Sequence, residues 1–231
     1  MQGCNRWFDQ DTLNPIPTNA ESDESLSLGE IGRALAPYIP KPLADDQLAA
    51  IGTYVALLKK WNKTISLTSI VGDADVVARH FGESLFAASL LPMSRGRLAD
   101  VGTGGGFPGL PLKIAFPELQ LTLIEPNVKK CAFLKEIRAT FELPGVEIVR
   151  KRYEDLGATG YFDFVCCRAL GGYKRLLQWS RRVLNPDGQV VLWLGIEDAN
   201  LLCRTKNWHW GLPAPIPESR RRVVLTGKPI A

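Results

Sequence analysis

The sequence predicts an α/β protein with a mostly parallel sheet covered by helices on both faces, preceded by a small helical region. Two observations lead to this fold class. From residue 96 onward, short apolar runs alternate with helical stretches, which is typical of parallel sheets. Before residue 96, apolar residues recur at three- and four-residue spacing, the period of a helix that buries one face. The 231 residues are 45% hydrophobic and 23% charged, as in a soluble globular protein.

The first predicted elements are two helices between residues 31 and 95. The first begins near Leu43, with Asp45 or Asp46 as its cap, because a short polar side chain can accept from the first-turn N–H groups. Its apolar face carries Leu48, Ile51, Val55, Leu58 and Trp61. The second helix follows the acidic run Asp73–Asp75. We expect these helices to form a cap on the sheet.

The predicted sheet begins after Arg97. Strands are expected at residues 98–101, 121–124, 146–149, 162–167 and 189–194. Helices are expected at residues 110–116, 127–141 (with Asn127 as the cap) and 173–183, and a turn at residues 185–188. The apolar run at residues 221–226 predicts one further strand. The chain therefore divides into a leader (1–30), a helical cap (31–95) and an α/β domain (96–231).

The net charge of +4 hides an acidic leader on a basic body. Residues 1–30 hold one base and six acids, a net of −5, so the remaining residues carry +9. Such a polar, acidic leader is expected to be poorly ordered, and it lacks the basic-then-apolar start of a secretory signal. The longest charge-free apolar stretches have about a dozen residues, whereas a membrane span needs about 20. The five cysteines form no Cys-x-x-Cys or Cys/His cluster, so we expect no metal site and a cytoplasmic monomer.

The basic excess lies in residues 129–231, which carry 18 bases and 10 acids. A basic excess of this kind favours a polyanionic partner such as nucleic acid. The candidate RNA-binding residues come from its clusters and are Lys129, Lys130, Arg150, Arg152, Arg220, Arg221 and Arg222.

A glycine-rich loop joins the first predicted strand to the helix that follows it. Residues 102–109 read Gly-Thr-Gly-Gly-Gly-Phe-Pro-Gly, and glycines let backbone N–H groups approach a ligand closely. Glu125 ends the next strand, where a carboxylate can accept both hydroxyl hydrogens of a ribose. Together these features predict a cofactor that contains a nucleoside.

Asp100 helps to distinguish between the two cofactors that such a loop could bind. The glycines at positions 104, 106 and 109 match the dinucleotide fingerprint, so an NAD-dependent dehydrogenase stays open. Asp100 lies two residues before Gly102, where its carboxylate would repel a pyrophosphate but attract the cationic sulfonium and ammonium groups of S-adenosylmethionine. The sequence therefore favours S-adenosylmethionine.

Five segments resemble the motifs of one methyltransferase family. The glycine loop continues as Phe-Pro-Gly-Leu-Pro-Leu within residues 100–113, and Trp61–Thr68 is similar to a Trp-Asn-x-x-Ile-x-Leu-Thr motif. A His-x-x-Asp-Ser-Leu motif is similar to Arg79–Leu85. An Arg-Ala-Glu motif is similar to Arg152–Asp155, and a Ser/Ala-Arg-Ala motif is similar to Cys167–Ala169. From about residue 43 to residue 228 the chain thus resembles the RsmG family, also called glucose-inhibited division protein B. The resemblance implies a Rossmann-like, S-adenosylmethionine-dependent methyltransferase that modifies guanine N7 in small-subunit (16S) ribosomal RNA, with that RNA or the small ribosomal subunit as its partner.

The resemblance also implies roles for individual residues. Gly102 and Phe107 are expected to contact the methionine and ribose part of the cofactor. Glu125, with Pro126 beside it, is expected to hold the ribose hydroxyls, and Tyr153 and Glu154 are expected to border the adenine. Asp100, Gly104 and Arg168 complete the cofactor-binding set. Guanine N7 has a lone pair and no proton to remove, so methyl transfer needs positioning rather than a general base. Arg168 is the expected positioning residue, and His80 either packs the helix or lies at the substrate mouth.

Departures from the family pattern leave two other functions open. Glu83 stands where the family usually has Asp, Tyr153 where it usually has Ala, and Leu194 where it commonly has Lys. The missing lysine leaves open a catalytically weakened, cofactor-binding protein of ribosome assembly. Cys166 and Cys167 end the fourth strand and leave open cytosine-C5 methylation of RNA, which needs a thiolate nucleophile.

Overall fold

A computed structural model of the chain describes residues 25–157, 161–168 and 171–230. Residues 1–24 of the predicted leader, and Ala169 of the last family motif, lie outside the described residues. The α-helices are α1 (Leu28–Leu35), α2 (Asp45–Asn62), α3 (Asp73–Val76), α4 (Glu83–Phe86), α5 (Gly109–Ala115), α6 (Val128–Thr140), α7 (Tyr173–Val183) and α8 (Ile196–Leu202), and a π-helix (Val77–Gly82) joins α3 to α4. The strands are β1 (Gly96–Val101), β2 (Leu119–Ile124), β3 (Val146–Val149), β4 (Phe162–Arg168), β5 (Leu184–Gly195), β6 (Trp208–Trp210), β7 (Ala214–Pro215) and β8 (Arg222–Pro229). In the described part, no helix is both long and apolar enough to cross a membrane.

The strands form one sheet in the order β3-β2-β1-β4-β5-β8-β6, with β7 also paired to β8. The first five strands run parallel, and the last three pair antiparallel. The prediction of a mostly parallel sheet is confirmed, as is the strand predicted near the C-terminus. The strand order reverses between β1 and β4, and ligands of open α/β sheets bind at such a switch point.

The edge at which β1–β5 end is called the carboxyl edge here, and the opposite one the amino edge. Because β8 runs against β5, its first residue also lies at the carboxyl edge, where Arg222 is the partner of Gly195. Among the described residues, the topology therefore brings to one edge several chain segments that are distant in sequence, including residues 102–109, 125–130, 150–155, 171–175 and 220–222.

Three local expectations differ from the structure. The predicted turn at residues 185–188 is a bulge inside β5, because Leu184 pairs with Phe162 and Gln189 with Phe164. Asp45 and Asp46 do not cap α2 but lie in its first turn, where carboxylates favour the positive end of the helix dipole. Residues 28–30, assigned to the leader by their polarity, begin α1.

The ends of α1 and α2 are fixed by other side chains. Ser27 and Glu30 form a reciprocal capping box at the start of α1, which satisfies two backbone N–H groups at once. At the start of α2, the Ala44 N–H donates to Gln47 Oε1 over 3.0 Å. The same Gln47 side chain donates to the Ile114 carbonyl at 2.9 Å and so ties α2 to α5.

Apolar clusters cover both faces of the sheet, which confirms the predicted layer arrangement. On one face, the helical cap packs with α5 and α6 against strand residues such as Leu98. On the other, α7 and α8 pack against strand residues such as Ala99. Leu98 and Ala99 are consecutive and face opposite sides because side chains alternate along a strand. The helical cap therefore shares its core with the α/β domain.

Candidate active site

The glycine loop after β1 turns sharply back on itself. Gly102, Gly104 and Gly106 have φ values of 67°, 57° and 88°, a conformation that glycine adopts without steric cost. The Gly102 N–H donates to the Ile124 carbonyl at 2.9 Å, which anchors the loop to β2. At Gly109, an added Cβ would lie 2.8 Å from Asp100 Oδ2, so this glycine lets α5 begin directly over the Asp100 carboxylate.

Asp100 lies beneath the glycine loop and is fully buried. Its Oδ2 accepts hydrogen bonds from the Thr103 hydroxyl at 2.6 Å and from the Gly109 N–H at 2.8 Å. Its Oδ1 is buried and has no partner among the described residues. Burial raises the pKa of Asp100 to about 7 despite these hydrogen bonds and the nearby Arg168, because desolvation penalises the charged carboxylate. An orphaned buried carboxylate oxygen is a group that a cationic ligand can satisfy.

Glu125 follows β2 and is buried against the same loop. Its carboxylate accepts from the Gly104 N–H at 3.0 Å through Oε2 and from the Asn127 N–H at 2.9 Å through Oε1. Asn127 in turn caps α6, as predicted, by accepting from the N–H groups of Lys129 and Lys130. Glu125 therefore joins the glycine loop to the start of α6, and each of its oxygens keeps accepting capacity for a further donor.

An aromatic stack connects the glycine loop to the helical cap. The Phe107 ring lies between Tyr54 and His80, with centroid distances of 5.6 Å and 4.5 Å and interplanar angles of 19° and 16°. The Tyr54 hydroxyl donates to the Gly105 carbonyl at 2.6 Å. Phe107 and Tyr54 are both buried, so this stack holds the loop in place from the helical side.

His80 is half-buried and packs within the protein. Its Nε2 lies 2.7 Å from the Thr68 hydroxyl, and its buried Nδ1 has no described partner. Burial, together with the nearby arginines 168, 79 and 222, lowers the pKa of His80 to about 3. The imidazole is therefore neutral at physiological pH. These contacts support the helix-packing interpretation of His80.

A cleft of about 440 Å³ opens at the carboxyl edge, over the ends of β1, β2 and β3 and the start of α7. It contains four predicted cofactor-binding residues, namely Gly102, Pro126, Tyr153 and Glu154, together with the candidate RNA-binding residue Arg152. The sequence did not predict six further lining residues, which are Ile124, Lys151, Gly171, Gly172, Lys174 and Arg175. The glycine pair just before a helical stretch was the available signal for this second loop.

Arg168, the last residue of β4, is held in a buried ion cluster. Its Nη2 lies 3.3 Å from Glu83 Oε2, and Arg222 Nη2 lies 2.6 Å from Glu83 Oε1. Arg168 Nη1 is buried without a described partner. Arg222, predicted as an RNA contact, thus differs from Arg220 and Arg221, which are exposed.

The cysteines of β4 lack the environment of a nucleophile. Cys166 and Cys167 are both fully buried, and burial raises the pKa of Cys166 well above its ordinary value. A thiolate nucleophile needs the opposite shift, so the cytosine-C5 alternative has no support. Leu194 is likewise buried in the apolar cluster beside Val223.

Most of the remaining basic candidates lie at the carboxyl edge and are exposed. Lys129 is in the first turn of α6, Arg150 and Arg152 follow β3, and Arg220 and Arg221 precede β8. By contrast, two further basic residues, Arg181 and Arg182, lie in the last turn of α7.

Strand order, glycine loop and cleft together define the Rossmann-like class of S-adenosylmethionine-dependent methyltransferases. Solved structures agree at the level of the fold. A SAM-dependent methyltransferase from Aquifex aeolicus matches with a TM-score of 0.50 and 15% identity over 57% of this chain and 81% of that one. A ribosomal protein L11 methylase from Lactobacillus delbrueckii subsp. bulgaricus matches with a TM-score of 0.53 and 16% identity over 67% and 80%.

Sequence comparison identifies the family. The model of the GidB family, described as rRNA small subunit methyltransferase G, matches residues 47–209, and the chain belongs to this family. Ribosomal RNA small subunit methyltransferase G of Chromobacterium violaceum is 36% identical over 174 residues, which cover 74% of this chain and 81% of the relative. The protein of the same name from Hydrogenovibrio crunogenus is 40% identical over 147 residues, or 64% and 67%. The predicted family is confirmed.

Proposed function

We propose that this protein transfers the methyl group of S-adenosylmethionine to guanine N7 in the 16S RNA of the small ribosomal subunit. The main support is the cleft at the carboxyl edge, which is bordered by a glycine loop that two buried carboxylates hold in place. The chain also belongs to the rRNA small subunit methyltransferase G family. A dehydrogenase would need to bring an anionic pyrophosphate next to the buried Asp100.

The residues present fit the proposed cofactor. The unpartnered Asp100 Oδ1 suits the cationic groups of the methionine portion. Glu125 retains accepting capacity toward ribose hydroxyls, with Pro126 beside it in the cleft. Tyr153 and Glu154 border the cleft and would flank the adenine. Gly102 and Gly104 let the backbone approach, while the buried Phe107 would shape the loop from behind.

The chemistry requires orientation more than proton transfer. The bound cofactor supplies an electrophilic methyl group on a sulfonium. Guanine N7 attacks with its own lone pair, so the protein needs only to align the two reactants. A neutral His80 neither adds positive charge beside the product base, which becomes cationic, nor acts as an acid. Arg168, whose buried Nη1 has no described hydrogen-bond partner, is the proposed positioning residue.

The substrate contact would be the carboxyl edge itself. Exposed bases there attract phosphates without reading sequence, and one of them, Arg152, lines the cleft itself. Lys130 belongs to this set through its place in the first turn of α6. We also propose that residues 31–95 act as a recognition cap on the α/β domain, and that the protein works as a cytoplasmic monomer.

The proposed function is tested by methyl transfer to small ribosomal subunits that lack the modification. Purified protein is incubated with these particles and labelled S-adenosylmethionine, and the label is mapped by cleavage at N7-methylguanine. Labelled 16S RNA that is cleaved at one guanine is the expected result. Label at a cytosine, or no transfer by a protein that binds S-adenosylhomocysteine, would contradict the proposal. Calorimetry with NAD serves as the control for the dehydrogenase, since tight NAD binding would favour that function.

A further inference from the structure

The strongest unassigned feature is a carboxylate shared by two arginines. The Glu83 side chain is only 2% exposed and contacts Arg168 through Oε2 and Arg222 through Oε1. The three residues come from separate elements, because Glu83 begins α4, Arg168 ends β4 and Arg222 begins β8. One carboxylate therefore joins the helical cap to two strands at the carboxyl edge.

The backbone at Glu83 is fixed as well. Its carbonyl accepts from the Trp193 indole Nε1 at 2.6 Å, and Trp193 is a buried residue of β5. Gly82, just before it, packs so closely on Tyr38 that an added Cβ would overlap the ring. The position of the carboxylate is thus set by the core and not by a flexible loop.

The cluster holds unsatisfied hydrogen-bonding groups next to the proposed cofactor site. In the described part of the chain, five atoms at this junction are buried without a hydrogen-bond partner, namely Arg168 Nη1, Arg222 Nε, His80 Nδ1, Asp100 Oδ1 and Glu83 Oε2. The contact between Glu83 Oε2 and Arg168 Nη2 is therefore an ion pair and not a hydrogen bond. Arg168 interacts electrostatically with both Glu83 and Asp100. Buried polar atoms are normally paired, so several unpaired atoms at one junction point to a group that a substrate completes. The positive charge of the two guanidinium groups exceeds that of the single carboxylate.

We infer that Glu83 is a positioning residue that holds one amino group of Arg168, Nη2, by its ion pair. The other amino group, Nη1, then faces the acceptor base. Arg222 is the second arginine of this clamp. The inference rests on the proposed function for its effect on methyl transfer. It also removes Arg222 from the phosphate-binding surface and assigns it to the reaction centre. A clamp of this kind acts on catalytic alignment, and small losses of alignment cost large factors in rate.

The alternative is that the cluster only stabilises the fold. Buried ion pairs are weak evidence of stabilisation, but removing one partner strands a charge. A purely structural cluster would lower stability on substitution and leave kcat per folded molecule unchanged. A positioning cluster would lower kcat while leaving cofactor affinity and the KM for particles in place.

The test compares Glu83→Gln with Glu83→Asp and with the control Glu118→Gln, an exposed glutamate at the amino edge. For Glu83→Gln we expect kcat to fall about 100-fold, with S-adenosylhomocysteine affinity and particle KM within about twofold, a margin well below one tenfold step in affinity. Glu83→Asp keeps the charge and should recover most of the lost rate, and Glu118→Gln should match the parent protein. A kcat for folded Glu83→Gln within twofold of the parent would overturn the inference.

A second measurement does not depend on methyl transfer. In NMR spectra of nitrogen-15-labelled protein, a clamped Arg168 guanidinium should give separate Nη signals because its rotation is hindered. We expect these signals to merge in Glu83→Gln, and unchanged signals would overturn the clamp. If Glu83→Gln fails to fold, Arg222→Gln replaces it, since that side chain is 37% exposed. It should lower kcat without changing the salt dependence of RNA binding, and an unchanged kcat would overturn the assignment of Arg222.

The two proposals fail in different ways. If the parent protein methylates no guanine while the Arg168 signals respond to Glu83→Gln, the proposed function is wrong and the clamp survives as a feature of the fold. If the parent protein methylates guanine N7 and Glu83→Gln retains full kcat, the function stands and the clamp is wrong.

Discussion

The two edges of the sheet treat their polar groups in opposite ways. At the amino edge, Asp163 accepts from the Arg97 N–H at 2.7 Å and from the Asn185 amide at 2.6 Å, so both of its oxygens are used. The buried Lys113 donates to the carbonyls of Pro117 and Leu119. At the carboxyl edge, Asp100, Arg168 and His80 each keep a buried atom without a partner in the described part of the chain.

This difference assigns different roles to the two edges: the amino edge stabilises the fold, and the carboxyl edge binds ligands. A closed set of hydrogen bonds leaves nothing for a ligand to supply, so the amino edge contributes to folding. An open set is costly in the unliganded protein and is relieved when a ligand arrives, so the carboxyl edge is built for binding. Substitutions at the two edges should therefore move different measurements.

The largest effect is expected for Asp100→Asn. The folded pKa of Asp100, about 7, lies above its ordinary value of 3.8, so the contribution of this group to stability is full below pH 4 and is lost as the pH rises through 7. The cationic cofactor binds the ionised form, so its affinity should rise through the same range. Asp100→Asn should remove this rise and cost about 1.5 to 3 kcal/mol of binding at pH 8.

Calorimetric titration with S-adenosylmethionine from pH 5.5 to 8.5 measures this dependence. Asp187→Asn, an exposed aspartate in the β5 bulge, is the matched control. A parent affinity that is flat across this range would show that Asp100 does not face the cofactor.

The second-largest effect on cofactor binding is expected for Glu125→Ala. It removes an acceptor for the ribose and the bond to the Gly104 N–H, so S-adenosylmethionine binding should weaken by about 1 to 3 kcal/mol. Glu125→Gln separates the two contributions, since its amide oxygen can still hold the loop. An unchanged dissociation constant in Glu125→Ala would disprove the ribose assignment.

Lys113→Met probes the amino edge. It leaves the two carbonyls without their charged donor, and the free energy of unfolding should fall by about 1 to 2 kcal/mol. Urea unfolding measures this loss. Cofactor affinity and kcat per folded molecule should stay at the parent values, and a fall in either would mean that the two edges are not independent.

The smallest effect is expected for a single surface arginine. Arg221→Ala, at the carboxyl edge, should reduce the slope of log affinity against log salt by about 1 for RNA binding, while Arg182→Ala, at the other end of α7, should not change it. Filter binding across a salt series compares the two variants. Equal slopes would place the RNA elsewhere on the surface.

The sequence predicted what depends on local pattern. The α7 boundaries, the Asn127 cap and the glycine loop follow from spacing and residue type along the chain. Four residues of the cleft were expected from the resemblance to the family. The Glu83 cluster could not be predicted, because Arg168 and Arg222 meet Glu83 only after three distant segments pack together. Arg222 shows the limit most clearly, since composition groups it with Arg220 and Arg221 although its guanidinium is engaged inside the protein.

The prediction of the α2 cap was wrong for a similar reason. Two aspartates were reasonable candidates from local preference, but Ala44 occupies the cap position. Gln47, in the first turn, accepts from the Ala44 N–H and also reaches α5.

The most direct test is a crystal structure of the protein with S-adenosylhomocysteine. We expect the ligand to lie in the cleft bordered by Gly102, Pro126 and Tyr153, with its amino group close to the unpartnered oxygen of Asp100 and its ribose on Glu125. A ligand bound outside the carboxyl edge, or one that leaves the Asp100 and Glu125 carboxylates untouched, would contradict it.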